Sequence, residues 1–306
     1  MTDPATPVHV PVLLDAVLAA AAGARRAVDA TLGDGGHAEG LRQAGAEVLG
    51  IDRDPAALAV SRARLGAERI HYLNAVYASP EALAAVAAWQ PDFILLDLGV
   101  SSRQLDETDR GFTFRPGAPL DMRMGAGERS AADLLNQADE TELGHIFYQY
   151  GDERQGRRLA REIVRRRGRA PFAISDDLVN AIRATLGPRA GPGDFARLFQ
   201  AVRIAVNDEL AGLEAALPAL RDALVPGGRL AVITYHSGED RLVKQAFRDW
   251  ASACVCPPGQ PVCTCRGRPL GRLVTRKPIV AAPGEVAANP RARSAHLRIF
   301  QAGDAS

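Results

Sequence analysis

The fold of this chain is decided by the stretch Val28-Asp-Ala-Thr-Leu-Gly-Asp-Gly-Gly-His37 and by the acids that end Leu49-Gly-Ile-Asp-Arg-Asp54. An apolar strand that breaks into glycines and restarts as a helix exposes backbone N–H groups, and an acid ending the next strand can bind two ribose hydroxyls. We therefore predict a nucleoside-cofactor site, with Asp52 as the ribose ligand and Asp54 as a helix cap. The glycine run fits the loose dinucleotide fingerprint, which an ordinary strand-to-helix turn also matches.

Short apolar strands alternate with helical segments over residues 26–99, and this pattern is typical of βαβ units on a parallel sheet. We predict an α/β fold with strands at residues 27–31, 47–52, 70–74 and 93–98. The predicted helices lie near residues 37–44, 55–65 and 80–89, and Ser79 is predicted to cap the last of them.

The alternation stops after Leu98. Residues 99–127 predict an ordered loop, and residues 130–187 carry helical signals, including a capping box at Ser130-Ala-Ala-Asp133. A long helix-forming stretch at 194–224 then precedes a strand at 229–235, so the sheet resumes. We predict a discontinuous domain of residues 1–105 and 198–306, interrupted by residues 106–197, which form a loop and an inserted all-helical domain.

The chain has 306 residues, of which 47% are apolar, and its formal net charge is only +1. It is long enough to bury a substantial core. No apolar run approaches the roughly 20 residues of a membrane span, and the N-terminus lacks the cationic start of a secretion signal. These features predict a cytoplasmic protein that does not contact membranes.

Basic residues are concentrated in two segments. Residues 151–170 carry eight arginines against three acids, and residues 266–298 carry eight basic residues against Glu285 alone. Such patches suit contacts with RNA phosphates, whereas a solvated helix face with ion pairs is the alternative. Phe112 and Phe114 either stack on RNA bases or anchor a long loop to the core.

All four cysteines lie in Cys254-Val-Cys256 and Cys263-Thr-Cys265, on either side of a Pro-Gly turn. In a cytoplasmic protein this clustering favours metal ligation by thiolates over disulfides. Two ligand pairs could enclose a tetrahedral structural zinc ion, and free thiols on a loop are the alternative.

Asp97 ends the apolar run Phe93-Ile-Leu-Leu96 and precedes a turn at Leu98-Gly-Val-Ser-Ser102. Ligands of doubly wound sheets lie outside the carboxyl ends of the strands, so we expect this carboxylate beside the cofactor. There it could orient an incoming amine or contact the amino-acid end of the cofactor. A capping or turn-forming aspartate is the alternative.

Several motifs in fixed order resemble the bacterial 16S ribosomal RNA cytosine-N4-methyltransferases, the MraW or RsmH family. The resemblance covers almost the whole chain, and one departure is Gly238, where the family has a leucine. The motifs are His9-Val-Pro-Val-Leu-Leu14, the Gly-Asp-Gly-Gly-His turn, Ile51-Asp-Arg-Asp54, Leu95-Leu-Asp-Leu-Gly-Val-Ser-Ser102, Arg110-Gly-Phe-Thr-Phe114, Leu120-Asp-Met-Arg-Met124, Phe199-Gln-Ala-Val-Arg-Ile-Ala-Val-Asn207, Pro226-Gly-Gly-Arg229, Tyr235-His-Ser-Gly-Glu-Asp-Arg241 and Asn289-Pro-Arg-Ala-Arg-Ser294.

The resemblance implies a Rossmann-like, S-adenosylmethionine-dependent methyltransferase sheet with an inserted helical domain that recognises RNA. It implies methylation of the exocyclic N4 amine of one cytidine in the decoding region of 16S rRNA, either free or within the 30S subunit. Tyr77 would stack on adenine, although a core aromatic is the alternative. By the same resemblance the cofactor contacts are Gly35, Gly36, His37, Asp52, Tyr77, Asp97 and Gln104.

We assign catalysis to Asp97 and to the turn formed by Gly99, Val100 and Ser101, which would hold the amine through backbone carbonyls. Two alternative functions remain open from the sequence. A nicotinamide-dependent oxidoreductase would use the same glycine turn. A non-catalytic RNA-binding relic of a methyltransferase would have no need of the intact Gly-Gly-His, Asp52 and Asp97.

Overall fold

The computed structural model describes residues 11–125, 129–257, 259–260 and 262–303. The chain forms two compact units, one of Met1–Gly99 with Ala211–Ser306 and one of Val100–Leu210. His9 and Val10, which open the first family motif, lie outside the described residues. Within the described ranges, no helix has the length and apolar character needed to cross a membrane.

The first unit is built on one eight-stranded sheet with the order β3-β2-β1-β4-β5-β8-β6, and β7 pairs with β8 beside this path. The strands are β1 (Arg26–Asp29), β2 (Glu47–Asp52), β3 (Ile70–Asn74), β4 (Phe93–Asp97), β5 (Arg229–Thr234), β6 (Gly271–Leu273), β7 (Ile279–Val280) and β8 (His296–Ala302). Strands β1 to β5 pair in parallel, whereas β8 is antiparallel to β5, β6 and β7. The neighbours β1 and β4 are not consecutive in sequence, so their carboxyl ends flank the crevice where such sheets bind ligands.

The predicted α/β pattern is confirmed over the first half of this sheet. The bounds of β2 and β3 are as predicted, while β1, β4 and β5 each end one or two residues early, at Asp29, Asp97 and Thr234. The three C-terminal strands were not predicted, because β6 and β7 span only three and two residues and depend on pairing with β8.

Two helices of the first unit, α3 (Pro55–Leu65) and α4 (Pro80–Trp89), begin at local capping signals. Asp54 accepts a hydrogen bond from the Ala56 N–H (3.0 Å) and Ser79 from the Ala82 N–H (3.2 Å), and a proline follows each cap, as predicted. The described helices of the first unit are α1 (Leu14–Ala20), α2 (Gly36–Gln43), α3 (Pro55–Leu65), α4 (Pro80–Trp89), α11 (Glu209–Ala223, which starts in the second unit), α12 (Ser237–Ala251) and α13 (Pro283–Ala288).

The sheet separates two apolar clusters. Ala27 and Leu95 belong to the cluster on one face, and Val28, Ile94 and Leu96 belong to the cluster on the other. Successive side chains of a strand point to opposite faces, so this alternation follows from the strand geometry. Burial on both faces explains the continuous apolar runs of β2 and β4.

The second unit is helical and has its own core, which includes Phe147, Leu159 and Phe199. The capping box at Ser130 is confirmed: its hydroxyl accepts from the Asp133 N–H (3.1 Å), and the Asp133 carboxylate accepts from the Ser130 N–H (3.0 Å). The helices are α5 (Ser102–Asp106), α6 (Ala131–Gln137), α7 (Glu140–Gln149), α8 (Gly156–Arg167), α9 (Ser175–Leu186) and α10 (Pro192–Asn207).

Two sequence predictions for this region need correction. The long helical stretch at 194–224 is two helices, because Asp208 adopts a left-handed conformation (φ 51°) that ends α10. The segment predicted as a loop also contains α5 and a 3-10 turn at Thr108–Arg110. Its distal part is held by Asn207, which accepts from the Met124 N–H and donates to the Met122 carbonyl, at 2.9 and 2.8 Å.

Candidate active site

Three aspartates end neighbouring strands of the first unit at the same edge of the sheet. Asp29 ends β1, Asp52 ends β2 and Asp97 ends β4. Parallel strands place their carboxyl ends together, so the three carboxylates gather at the crevice between β1 and β4. The site is therefore strongly acidic, and His37 is the base that faces it.

Asp52 lies where the sequence places the ribose ligand. Its Oδ2 accepts from the Gly33 N–H (2.7 Å) and its Oδ1 accepts from the Asp54 N–H (2.8 Å), which fixes the carboxylate against the glycine turn. A carboxylate has about four lone-pair sites and can therefore accept several hydrogen bonds at once.

Gly35 and Gly36 are required by the packing of this chain. Gly35 has φ +81° and caps α2, and a Cβ there would lie 2.6 Å from the Ser61 Oγ. A Cβ on Gly36 would overlap the ring of Pro11. The turn can therefore take this path only with glycines at both positions.

His37, the second residue of α2, is buried and points at Asp97. Its Nε2 lies 3.5 Å from the Asp97 Oδ2, which is an ion-pair contact longer than a well-formed hydrogen bond. Burial alone would lower the pKa of His37, but the carboxylates of Asp97 and Asp29 outweigh it and raise the pKa above its usual value. The acidic crevice therefore favours the protonated form of this histidine.

Tyr235 is a site residue that the sequence analysis did not assign. It follows β5, and its hydroxyl donates to the Asp97 Oδ1 at 2.9 Å. Burial and the negative charge of Asp97 raise the pKa of Tyr235 far above its usual range, so the hydroxyl stays protonated. The Asp97 N–H donates to the Thr31 Oγ1 (2.7 Å), so backbone and side chain of this aspartate are both fixed.

Asp29 is the second residue that was missed. Burial raises its pKa to about 6, partly offset by His37. Its Oδ1 accepts a long hydrogen bond (3.3 Å) from the Thr31 N–H, and its Oδ2 is buried with no partner among the described residues. The sequence signal for Asp29 is its position as the acid that ends the strand before the glycine turn.

Four of the remaining predicted residues have a defined local environment. Tyr77 is half-buried against the apolar cluster that contains Val28. Gly99 has φ +90° at the end of the first unit. In the second unit, Gln104 and Ser101 form a capping box for α5, in which the Gln104 Oε1 accepts from the Ser101 N–H (2.9 Å).

The basic segment of the second unit is partly neutralised within the protein. Arg165 and Arg166 both pair with Glu162, and they hold the pKa of Glu162 at about 2. Arg167 donates to the carbonyls of Leu135 and Ala138 and so closes the end of α6. The exposed arginines on α8 are Arg157, Arg158 and Arg161, together with Arg165.

Some basic side chains of the C-terminal segment also form contacts within the protein. Arg298 is buried and forms a bidentate pair with Asp240 at 2.8 and 2.9 Å. Arg266 donates to backbone carbonyls at the end of α12. Arg276, Lys277 and Arg293 are exposed. Part of the positive charge of this segment is therefore used in contacts within the protein.

Phe112 and Phe114 both pack against the core of the second unit. Phe114 makes edge-to-face contacts with Phe195 and Phe199, at centroid distances of 6.0 and 6.1 Å. This supports the interpretation that Phe114 anchors the loop.

The four cysteine sulfurs lie within 4.8 Å of one another in the segment between α12 and β6. The sulfur of Cys263 lies 3.8 Å from that of Cys254, 3.8 Å from that of Cys256 and 3.5 Å from that of Cys265. No sulfur pair is joined as a disulfide.

The topology and the site together define a class. The dinucleotide-binding fold continues beyond its fifth strand with a further parallel strand, whereas here the antiparallel β8 follows β5. A sheet of this order, with acids ending β1, β2 and β4, is the arrangement of an S-adenosylmethionine-dependent methyltransferase.

The chain belongs to the MraW methylase family, whose model matches residues 6–303. It is 59% identical to ribosomal RNA small subunit methyltransferase H of Gemmatimonas aurantiaca, over 96% of this chain and 95% of that protein. It is 46% identical to the protein of that name from Heliobacterium modesticaldum, over 95% and 97%. A solved rRNA methylase from Streptococcus thermophilus aligns over 99% and 100% at 11% identity, with a TM-score of 0.42.

Proposed function

We propose that this chain methylates the exocyclic N4 amine of a cytidine in the decoding region of 16S rRNA, in the cytoplasm. The observation that carries the proposal is the Asp97 carboxylate, held at the end of β4 by Tyr235 and facing His37. The names of the relatives, small-subunit rRNA methyltransferases, support an rRNA substrate.

The residues at this edge fit S-adenosylmethionine, which supplies an activated methyl group on a sulfonium. The cofactor carries positive charge at its sulfonium and its ammonium. The buried Oδ2 of Asp29, which has no hydrogen-bond partner among the described residues, could accept such a cation. Asp52 is placed to accept from the ribose hydroxyls. We assign further cofactor contacts to the residues that the family resemblance indicated: Gly35, Gly36, His37, Tyr77, Asp97 and Gln104.

For this reaction the protein mainly has to align the N4 amine with the methyl group of the cofactor. The N4 lone pair of cytosine is delocalised into the ring and forms the new N–C bond as the S–C bond breaks, which leaves S-adenosylhomocysteine; the methylated amine then passes one proton to water. Asp97 would accept a hydrogen bond from the amine and direct its lone pair, and the backbone carbonyls of Gly99, Val100 and Ser101 are proposed to hold its second hydrogen.

RNA recognition is assigned to the inserted helical region, residues 106–197. Arg158 and Arg161 are exposed on α8, on the side away from the buried Leu159 and Ile163. Arginine forks suit phosphates, and the target base must leave any stack to expose N4. The basic segment near Arg276 and Lys277 is a second candidate for backbone contacts.

The nicotinamide-dependent oxidoreductase is not favoured. Its cofactor needs a second nucleotide-binding half, and the strand beside β5 is antiparallel in this chain. A non-catalytic relic is also disfavoured, because Asp97 retains a specific set of polar contacts.

The test incubates the protein with methyl-labelled S-adenosylmethionine and either naked 16S rRNA or 30S particles, and then maps the labelled base. We expect N4-methylcytidine in the decoding region, with 30S particles as the better substrate. Asp97→Asn should abolish labelling. Label at another atom or base, or full activity of Asp97→Asn, would contradict the proposal.

A further inference from the structure

We propose that Cys254, Cys256, Cys263 and Cys265 bind one structural zinc ion. The proposal rests on the convergence of four sulfurs from two separate Cys-x-Cys pairs. A tetrahedral zinc with Zn–S bonds of about 2.3 Å has sulfurs about 3.8 Å apart. The contacts of the Cys263 sulfur, at 3.8, 3.8 and 3.5 Å, match that edge length.

The described residues of this segment form no apolar core that could bring the four sulfurs together. None of the described residues between 252 and 265 is buried, and Val255 and Val262 are 42% and 70% exposed. Hydrophobic burial therefore contributes little to the order of this loop, and a metal crosslink is the usual substitute in such a small element.

The surroundings suit a thiolate centre. The Val255 N–H donates to the Cys265 Sγ at 3.4 Å, which is a typical outer-shell contact of a metal-bound sulfur. At the base of the loop, the Arg266 guanidinium donates to the Ser252 carbonyl (2.9 Å), and the Leu270 N–H donates to the Trp250 carbonyl (2.7 Å). These bonds fix the base of the loop to the end of α12, and the zinc would fix its tip.

Other occupants of four thiolates fit less well. Iron–sulfur clusters separate their cysteine sulfurs by several metal–sulfur bonds, whereas all four sulfurs here fall within 4.8 Å. A single ion is the remaining fit, and tetrahedral sites made of four soft sulfur ligands favour zinc. The ion would stiffen the loop that leads into Arg266, Arg268 and β6, a role separate from methyl transfer.

The test is the metal content of the full-length, tag-free protein, purified without chelator and measured by mass spectrometry. We expect about one zinc per chain in the parent, as in other structural sites with four thiolate ligands, and none in the Cys256→Ser/Cys263→Ser variant. A Val255→Ala/Val262→Ala variant, changed in the same loop at residues without thiols, should retain the zinc.

A second measurement protects the result against misfolding of the cysteine variant. A mercurial reagent added to the parent protein should release the zinc as it titrates four thiols. Iron in place of zinc, absence of metal from the parent, disulfides in place of thiols, or zinc retained by the cysteine variant would each overturn the proposal. None of these outcomes depends on whether the protein methylates RNA.

Discussion

The Tyr235 hydroxyl donates a 2.9 Å hydrogen bond to the Asp97 Oδ1, across the ends of the paired strands β5 and β4. The other oxygen of Asp97 faces His37 at 3.5 Å. Each carboxylate oxygen therefore has its own neighbour, and the plane of the carboxylate is set before any substrate arrives. Preorganised acceptors of this kind are effective because they need no reorganisation during the reaction.

Tyr235→Phe should slow methyl transfer by roughly ten- to a hundredfold, because a hydrogen bond to a charged group contributes about 1.5–3 kcal/mol. Affinity for S-adenosylhomocysteine, measured by calorimetry, should change little. The matched control is Tyr148→Phe on the exposed face of α7, which should be fully active. An unchanged rate in Tyr235→Phe would show that the orientation of Asp97 does not depend on this bond.

Asp29→Asn should make the protein more stable at neutral pH. The folded-state pKa of Asp29 is raised from 3.8 to about 6, so its ionisation opposes folding. The protonated form's advantage is fully present below pH 3.8 and is lost as the pH rises through about 6. Asparagine imitates the protonated form, and we expect a gain of about 2–3 kcal/mol at pH 7.5 that vanishes near pH 4, measured by urea unfolding.

Asp29→Asn should also bind the cofactor less well, because a neutral amide cannot offset the positive charge at the methionine end of the cofactor. In the parent, affinity for S-adenosylmethionine should fall as the pH drops below about 6 and Asp29 becomes protonated. Asp29→Asn should flatten that dependence. If the variant bound the cofactor as tightly as the parent at pH 7.5, Asp29 would be a purely structural residue.

Gly35→Ala should destabilise the first unit by about 2–4 kcal/mol, since it combines a left-handed backbone with overlap on Ser61 and Leu65. Gly23→Ala isolates the backbone cost: Gly23 has φ +83°, and an added Cβ there meets no atom within 4 Å. We expect that control to cost about 1 kcal/mol. Equal losses of stability in urea would contradict the packing argument.

The sequence predicted those elements whose signals are local. The helices α3 and α4 begin and end where predicted, because Asp54 and Ser79 cap them within a few residues. Asp52 and Asp97 could be predicted as site residues because an acid directly after an apolar run is evident in the sequence.

Tyr235 and Asp29 were not assigned roles because their significance is not local. Tyr235 is 138 residues from Asp97, and only the pairing of β4 with β5 joins them. The pKa of Asp29 follows from burial that no sequence pattern gives directly. Similarly, the internal contacts of Arg167 and Arg298 could not be read from a count of charges.

Arg158→Gln/Arg161→Gln should weaken RNA binding about 30- to 100-fold in roughly 0.1 M salt, since each lost phosphate contact removes about one released counterion. The slope of log K against log salt should become shallower by about 1.5–2, and cofactor affinity should stay unchanged. The control, Arg25→Gln/Arg62→Gln, removes two exposed charges from the first unit and should bind RNA as the parent does. If both double variants lost affinity equally, net charge alone would govern binding and α8 would not be the RNA surface.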